Sequence, residues 1–181
     1  MLNGGNGLRT GRRLIEALAL AFALACGLMP ASAAGQASSA EDRRRFVSVT
    51  HQLEEAPLEP RLAADRQWAM TWLTETPDVS ITICADFWHG LLNENYPQGG
   101  EIVVQSMFSM AAAVIERPDI ANDPIAQQMA GAEGALRAYR AVLRDRPEAH
   151  SPFLDALVLT QSRGQLRDSV SSAMPGCSRQ P

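Results

Sequence analysis

Prolines divide this chain into segments of helical length. They recur throughout the sequence after residue 56, at Pro57, Pro60, Pro77, Pro97, Pro118, Pro124, Pro147, Pro152 and Pro175. A helix tolerates proline in its first turn but not in its interior, because proline lacks the backbone N–H and its ring clashes with the preceding turn. The spacing therefore predicts short helices with prolines at the joints between them.

The segments between these prolines carry apolar residues three and four positions apart, as one buried face of a helix requires. The clearest case runs from Ile125 to Leu143, where the apolar positions follow intervals of 4, 3, 4, 3 and 4. We expect helices over residues 41–55, 58–75, 78–92, 101–116, 125–143, 152–164 and 165–173. The predicted fold is all-α, a single irregular helical bundle of five to seven short helices.

Residues 78–83 fit two patterns. Val79, Ile81 and Ile83 alternate with polar residues as in a strand, and β-branched residues favour strands. A four-residue apolar repeat that begins at Val79 also runs through the same stretch, as in a helix. We predict a helix over 78–92, because a single strand has no obvious partner in a chain of helices.

The first 33 residues have the pattern of an export signal. Three arginines precede an apolar run of 13 residues, 17–29, which ends in Pro30 and the small-residue sequence Ala31-Ser32-Ala33. The run is shorter than the roughly 20 residues that span a bilayer. We therefore expect a signal peptide at 1–33, a flexible leader at 34–40, the helical domain at 41–177 and a tail at 178–181. The mature protein would lie in the periplasm or outside the cell.

A second interpretation of the export signal involves Cys26. The sequence Ala23-Leu24-Ala25-Cys26 resembles a lipoprotein cleavage box, which would leave Cys26 acylated and the protein anchored to a membrane. That box usually has a bulky aliphatic residue where Ala23 stands, and the residues after Cys26 stay apolar. The uninterrupted signal peptide is therefore the favoured interpretation, and lipidation of Cys26 is the alternative.

The charge of the chain argues against a nucleic-acid partner. The whole sequence carries 16 basic and 20 acidic side chains, a net charge of −4, and every basic residue is an arginine. Proteins that bind nucleic acids need a basic face to displace counterions from phosphates. Glu54, Glu55 and Glu59 form an acidic cluster, which we interpret as a solvent-exposed face.

Two cysteines remain once the signal is removed, Cys84 and Cys177. In an oxidising compartment, an isolated pair of cysteines most often forms a disulfide. We predict a Cys84–Cys177 disulfide that ties the C-terminal end of the chain to its middle.

Asp86 and His89 place a carboxylate and an imidazole three residues apart in the sequence. On a helix they would share a face and offer two ligands to a metal ion. Zinc needs three or four ligands, however, and His51 and His150 lie far away in the sequence. A metal-assisted enzyme that uses Asp86 and His89 is therefore the weakest of the functional hypotheses, and an exposed Asp–His pair is the expected outcome.

Other motifs give little support for catalysis. The sequence contains no Gly-x-Ser-x-Gly elbow for a nucleophile and no motif for a cofactor, so we expect no cofactor. Residues 135–147 resemble the second helix of a tetratricopeptide repeat, with a small residue at Ala135, an aromatic at Tyr139 and a closing proline at Pro147. No second copy follows at the repeat interval of about 34 residues, so we expect an ordinary helical hairpin here.

The function that the sequence favours is a non-catalytic interaction module of the periplasm or cell envelope, whose partner is another envelope protein or a peptide. Tryptophan and methionine side chains would line an apolar groove for this partner. We predict that Trp88, His89 and Tyr96, in and before a polar loop, border the binding cleft. A small envelope stress or chaperone-like protein is the alternative in a different class.

Overall fold

The computed structural model describes residues 37–177, and these residues form seven α-helices, two short 3₁₀ helices and no strand. The predicted all-α bundle is confirmed. The helices are α1 (Ala40–Glu55), α2 (Ala63–Glu75), α3 (Ala85–Asn93), α4 (Gly99–Glu116), α5 (Pro124–Asp145), α6 (Pro152–Ser162) and α7 (Leu166–Cys177). The 3₁₀ helices, Pro60–Leu62 and Pro118–Ile120, precede α2 and α5.

Three of the seven α-helices formed by residues 37–177 begin at a capping residue, and two of these have a proline in the first turn. The side chains of Ser39, Asp123 and Ser151 accept hydrogen bonds from the backbone N–H groups of the first turns of α1, α5 and α6. Such caps satisfy N–H groups that have no partner within the helix. Pro175 is the exception, because it lies inside α7. The expectation that every proline marks a joint, and that the last helix ends at residue 173, is therefore wrong for α7.

The prediction of a helix over 78–92 is wrong in its first half. Helix α3 begins at Ala85, and residues 79–84 belong neither to a helix nor to a strand. The reason lies in a distant part of the chain. The backbone N–H of Thr82 donates to Gln127 Oε1 at 2.8 Å, and that of Cys84 donates to Gln128 Oε1 at 3.4 Å. These side chains of α5 replace the hydrogen bonds that a helix would have supplied.

Helices α4 and α5 pack against each other most extensively and form the centre of the bundle. Two apolar clusters lie on either side of this pair. One contains Trp88, Leu136 and Tyr139 and is covered by α3, α6 and α7. The other contains Phe46 and Phe108 and is covered by α1 and α2. Burial of such side chains contributes about 1.5–3 kcal/mol each, which makes these clusters the main source of stability.

Glycines allow α4 and α5 to approach closely. A Cβ atom added at Gly131 would lie 2.7 Å from Met110 Cγ, and one added at Gly134 would lie 2.3 Å from Ser109 Cβ. Both distances are far below van der Waals contact. The close packing of the central pair therefore depends on the absence of a side chain at these two positions.

The Cys84–Cys177 disulfide is confirmed as a feature of the fold. The two Cα atoms lie 5.2 Å apart across a sequence separation of 93 residues, and Cys84 is completely buried. The bond joins the end of α7 to the segment that precedes α3, as predicted.

The predictions for the two ends of the chain fall mostly outside the described residues. The signal peptide at 1–33, Cys26 and the tail at 178–181 all lie there. Of the predicted leader, Ser38 is held by Asp78, which accepts a hydrogen bond from its N–H at 3.0 Å, and Ala40 already belongs to α1. Within residues 37–177, every helix is too short or too polar to cross a membrane.

Candidate functional site

Trp88, His89 and Tyr96, which the sequence places at a binding cleft, differ in their exposure. Trp88 exposes 1% of its surface, and its ring packs against Phe87 and Phe153 in the core. The indole is therefore removed from the protein surface. His89 is exposed and its Nε2 lies 2.8 Å from Asn93 Nδ2. The binding role of His89 stays a prediction.

Tyr96 is half-buried in the loop between α3 and α4. Its ring packs edge-on against Tyr139, with 6.2 Å between the ring centres. Its hydroxyl is buried and has no hydrogen-bond partner within residues 37–177, and burial raises its pKa to about 12. The ring therefore helps to close the core beneath this loop, as a plug would, while its binding role stays a prediction.

Asp86 and His89 lack the further ligands that a metal site requires. Both side chains are exposed on α3. Within residues 37–177, no group of three or more His, Cys, Asp or Glu side chains is placed to hold a metal ion. The described part of the chain thus offers the hypothesis of a metal-assisted enzyme no support.

The sequence-predicted apolar groove also looks different in the structure. Met110 is completely buried beside Gly131 and belongs to the core. An open cleft of 460 Å³ lies between α2 and α4, but Met70 is the one methionine in its lining, and Arg66 and Glu101 line it as well. Its lining is therefore mixed rather than apolar.

A second open cleft has a distinct chemical character. It has a volume of 410 Å³ and is lined by His51, Glu54 and Glu55 of α1 and by Arg137, Arg140 and Arg144 of α5. We call it the arginine cleft. The three arginines lie three and four residues apart, so they project from one face of α5. The cleft thus gathers six ionisable side chains from two helices, and those of α1 lie more than 80 residues before those of α5 in the sequence.

Glu54 is the buried centre of this cleft and exposes 4% of its surface. Arg137 donates two hydrogen bonds to its carboxylate, from Nε and Nη2, both at 2.8 Å. Ser109 Oγ donates a third at 2.7 Å from α4. Burial raises the pKa of Glu54, but these hydrogen bonds and one from His51 outweigh it and hold the pKa below its ordinary value. Glu54 is therefore an ionised carboxylate that joins three helices.

His51 lies between two carboxylates. Its Nδ1 is 3.1 Å from Glu54 Oε2, and its Nε2 is 3.2 Å from Glu116 Oε1 at the end of α4. A neutral imidazole has one N–H, so it can donate to one of these carboxylates and not to both. Partial burial opposes the charge of His51, but the two hydrogen bonds outweigh it and raise its pKa above 6.5. The geometry therefore favours the protonated form.

Arg140 and Arg144 differ from Arg137 in their partners. Arg140 Nη2 donates to the side-chain oxygen of Gln161 on α6 at 2.5 Å, and Arg144 Nη2 donates to the backbone carbonyl of Glu55 at 3.1 Å. Among the described residues, neither guanidinium has a carboxylate within 4.0 Å. Both are thus held by neutral oxygens and keep N–H donors free.

The cleft lacks the arrangement of a catalytic triad. Ser109 is 4% exposed and donates to the Glu54 carboxylate rather than to the imidazole of His51, and that carboxylate is already paired with Arg137. A buried serine whose acceptor is held in an ion pair is not placed to attack a substrate. What the cleft offers is a set of positive charges held in fixed positions, which suits the binding of an anion.

A second cluster of polar residues caps α6 and serves the fold. Ser151 Oγ donates to Glu94 Oε2 at 2.5 Å, and Glu94 Oε1 accepts from the backbone N–H of Phe153 at 2.7 Å. His150 and Asp155 lie beside them, with 3.0 Å between Nδ1 and Oδ2. Because Ser151 is completely buried and already bonded to Glu94, this Ser–His–Asp group is a helix cap and not a nucleophile.

Comparison with protein-family models, with curated proteins and with solved structures finds no match for this chain.

Sequence reasoning missed the arginine cleft, although part of the signal is visible. The spacing of Arg137, Arg140 and Arg144 can be read from the sequence. The interpretation of Glu54 as part of an exposed acidic face is wrong, because Glu54 is buried against Ser109 and Arg137. Its partners lie 55 and 83 residues away, and no local pattern connects them.

Proposed function

We propose that this chain is an exported, non-catalytic interaction protein of the periplasm or cell envelope, and that its partner docks at the arginine cleft. The observation that carries the proposal is the pair of guanidiniums, Arg140 and Arg144, that lack carboxylate partners among the described residues and face an open cleft. Charged groups held in place before a ligand arrives reduce the cost of binding.

Two further features support this role. The Cys84–Cys177 disulfide is compatible with an oxidising compartment, and the N-terminal 33 residues have the pattern of an export signal. The cleft walls belong to α1 and α5, which are joined by the ion pair between the buried Glu54 and the exposed Arg137. Recognition residues on rigid helices keep a more precise geometry than residues on loops.

Export is tested by isolating the protein from fractionated cells and determining its N-terminus. We expect the protein in the envelope or periplasmic fraction, with a mature N-terminus near Ala34. A chain found in the cytoplasm with Met1 intact would contradict the proposed location. A lipid-modified N-terminal residue at Cys26 would replace the soluble form with a membrane-anchored one.

Partner docking is tested by site-specific photo-crosslinking in living cells. A photoreactive amino acid replaces Glu55, which is exposed and lines the cleft, or Arg167, an exposed residue of α7 outside its lining. We expect a discrete crosslinked species from position 55 that is absent at position 167 and disappears when Arg140→Gln is added. Equal crosslinking at both positions, or crosslinking at 55 that persists in the Arg140→Gln variant, would refute the proposal.

A further inference from the structure

We propose that the arginine cleft binds two carboxylate groups of an acidic protein segment, and that Arg140 and Arg144 recognise one carboxylate each. This inference rests on the proposed interaction function and adds the chemistry of the ligand.

The two guanidiniums are available for a ligand. Arg140 donates to Gln161 and to the carbonyl of Leu136, and Arg144 donates to the carbonyl of Glu55. A guanidinium has five N–H donors, so each of these arginines keeps donors that these bonds do not use. A planar guanidinium with two free donors pairs with a carboxylate through two parallel hydrogen bonds.

Arg137 does not take part in recognition. Both oxygens of Glu54 accept from it, at 2.8 Å each, and this pairing occupies two donors of its guanidinium. Glu54 is 4% exposed, so a ligand that took Arg137 away would leave a buried carboxylate without its cation, and the ligand therefore gains little by competing for Arg137. Arg137 is instead a positioning residue that holds α1 against α5.

The local charge of the cleft is opposite to that of the whole chain. Three arginines and two glutamates line it, which leaves one net positive charge, and the charge of a protonated His51 is balanced by Glu116 beside it. The whole sequence carries a net charge of −4. An acidic ligand is therefore attracted to this cleft and repelled by most of the remaining surface, which directs it to one place.

The positions of the two arginines favour two separated carboxylates over one compact anion. Arg140 is held towards α6 by Gln161, whereas Arg144 is held towards the end of α1 by Glu55. The two residues lie one helical turn apart, about 5–6 Å along α5. These partners belong to different helices, so they hold the two guanidiniums in different directions rather than towards one point. This arrangement suits two acidic side chains of one extended segment better than a single phosphate.

The test measures how the protein, purified after export, binds four probes. The probes are a fluorescently labelled pentaglutamate peptide, a pentaglutamine peptide with the same label, succinate and inorganic phosphate. We expect pentaglutamate to bind, with an affinity that falls as salt is added, and pentaglutamine not to bind. Unlabelled succinate and phosphate are expected to displace pentaglutamate at most weakly.

The variants separate recognition from net charge. Arg140→Gln with Arg144→Gln is expected to weaken pentaglutamate binding at least about tenfold, because hydrogen bonds to charged groups are lost. The matched control combines Arg44→Gln with Arg167→Gln, which removes the same charge from two exposed arginines that make no side-chain hydrogen bond or ion pair among residues 37–177. We expect it to bind pentaglutamate within about twofold of the wild-type protein. Thermal unfolding verifies that each variant is folded.

Three outcomes would overturn the inference. They are equal binding by the recognition and control variants, displacement of pentaglutamate by phosphate at lower concentration than by succinate, and absence of pentaglutamate binding at low salt. The last outcome would leave the proposed function standing if position 55 still gives the Arg140-dependent crosslink in cells. Loss of that crosslink together with retained pentaglutamate binding would instead refute the docking role and keep the ligand chemistry.

Discussion

Replacing Gly134 by alanine tests the close packing on which the arginine cleft depends. An added Cβ at this position would lie 1.9 Å from Ser109 Oγ, 2.3 Å from Ser109 Cβ and 2.6 Å from Glu54 Oε1. The hydroxyl of Ser109 can rotate away, but its Cβ is fixed by the backbone of α4. The substitution therefore forces α4 and α5 apart and disturbs the hydrogen bond between Ser109 and Glu54.

The expected magnitude follows from three contributions. Alanine is favoured over glycine inside a helix by about 1 kcal/mol. Overpacking costs about 1–3 kcal/mol, and loss of the hydrogen bond to the ionised Glu54 costs about 1.5–3 kcal/mol. We expect Gly134→Ala to lower the free energy of unfolding by about 1.5–5 kcal/mol, a large share of the roughly 5–15 kcal/mol typical of a domain.

Urea denaturation followed by far-ultraviolet circular dichroism measures this change. Gly100→Ala is the matched control, because a Cβ there would meet nothing within 4 Å, and it should be neutral or slightly stabilising. Ser109→Gly removes the fixed Cβ, so the double variant with Gly134→Ala should show a favourable coupling energy. A Gly134→Ala protein within about 0.5 kcal/mol of the wild type, or a coupling energy of zero, would refute this reasoning.

Four other predictions concern single residues. The free energy of unfolding should fall as the pH rises from 6.5 through the raised pKa of His51, because the imidazole then loses the proton that its carboxylate partners favour. Urea titrations over this pH range should show a smaller fall for His51→Gln, and an equal fall in both proteins would contradict the prediction. Glu94→Ala should lower the free energy of unfolding by about 2 kcal/mol, because it removes the two hydrogen bonds that cap α6. Amide hydrogen exchange at the start of α6 should accelerate, and unchanged exchange would argue against the cap. Replacing Cys84 and Cys177 by serine should lower the free energy of unfolding, measured in urea, by up to about 4–5 kcal/mol, because the disulfide closes a sequence separation of 93 residues. A free energy equal to that of the wild-type protein would rule this out. Tyr96→Ala should lower the melting temperature and preserve pentaglutamate binding, while the opposite result would place Tyr96 in the binding site.

The helices could be predicted because each carries its own periodic signal. The apolar positions between Ile125 and Leu143 predict the face of α5 that buries Leu136 and Tyr139. The segment at 79–84 could not be predicted in the same way. Its conformation depends on Gln127 and Gln128, whose side chains accept from backbone N–H groups some 45 residues earlier in the chain. Alternation and four-residue repeats describe only local preference, which this long-range hydrogen bonding overrides.

The arginine cleft depends even more strongly on long-range packing. On α1 the sequence presents Glu54 beside Glu55, and both look alike as exposed acids. What distinguishes them is the absence of a side chain at Gly134, which leaves room for the Glu54 carboxylate beside Ser109. A glycine in the middle of a helix can be present for several structural reasons, and the spacing of residues in the sequence does not identify which helix packs against it. The site could thus be found only once α1, α4 and α5 had been placed together.

The buried cluster and the open arginines are connected parts of one arrangement. An ion pair such as Glu54–Arg137, with a buried carboxylate and a guanidinium that is 49% exposed, adds little net stability, because removing the carboxylate from water offsets much of the attraction. Its structural effect is to fix the end of α1 against α5. The carbonyl of Glu55, the next residue on α1, then lies where Arg144 donates to it at 3.1 Å. The absence of a side chain at Gly134 leaves room for the ion pair, and the ion pair fixes the end of α1. The end of α1 in turn supplies the carbonyl that holds Arg144 in place. We therefore expect substitutions at Glu54 to weaken ligand binding without any contact between Glu54 and the ligand.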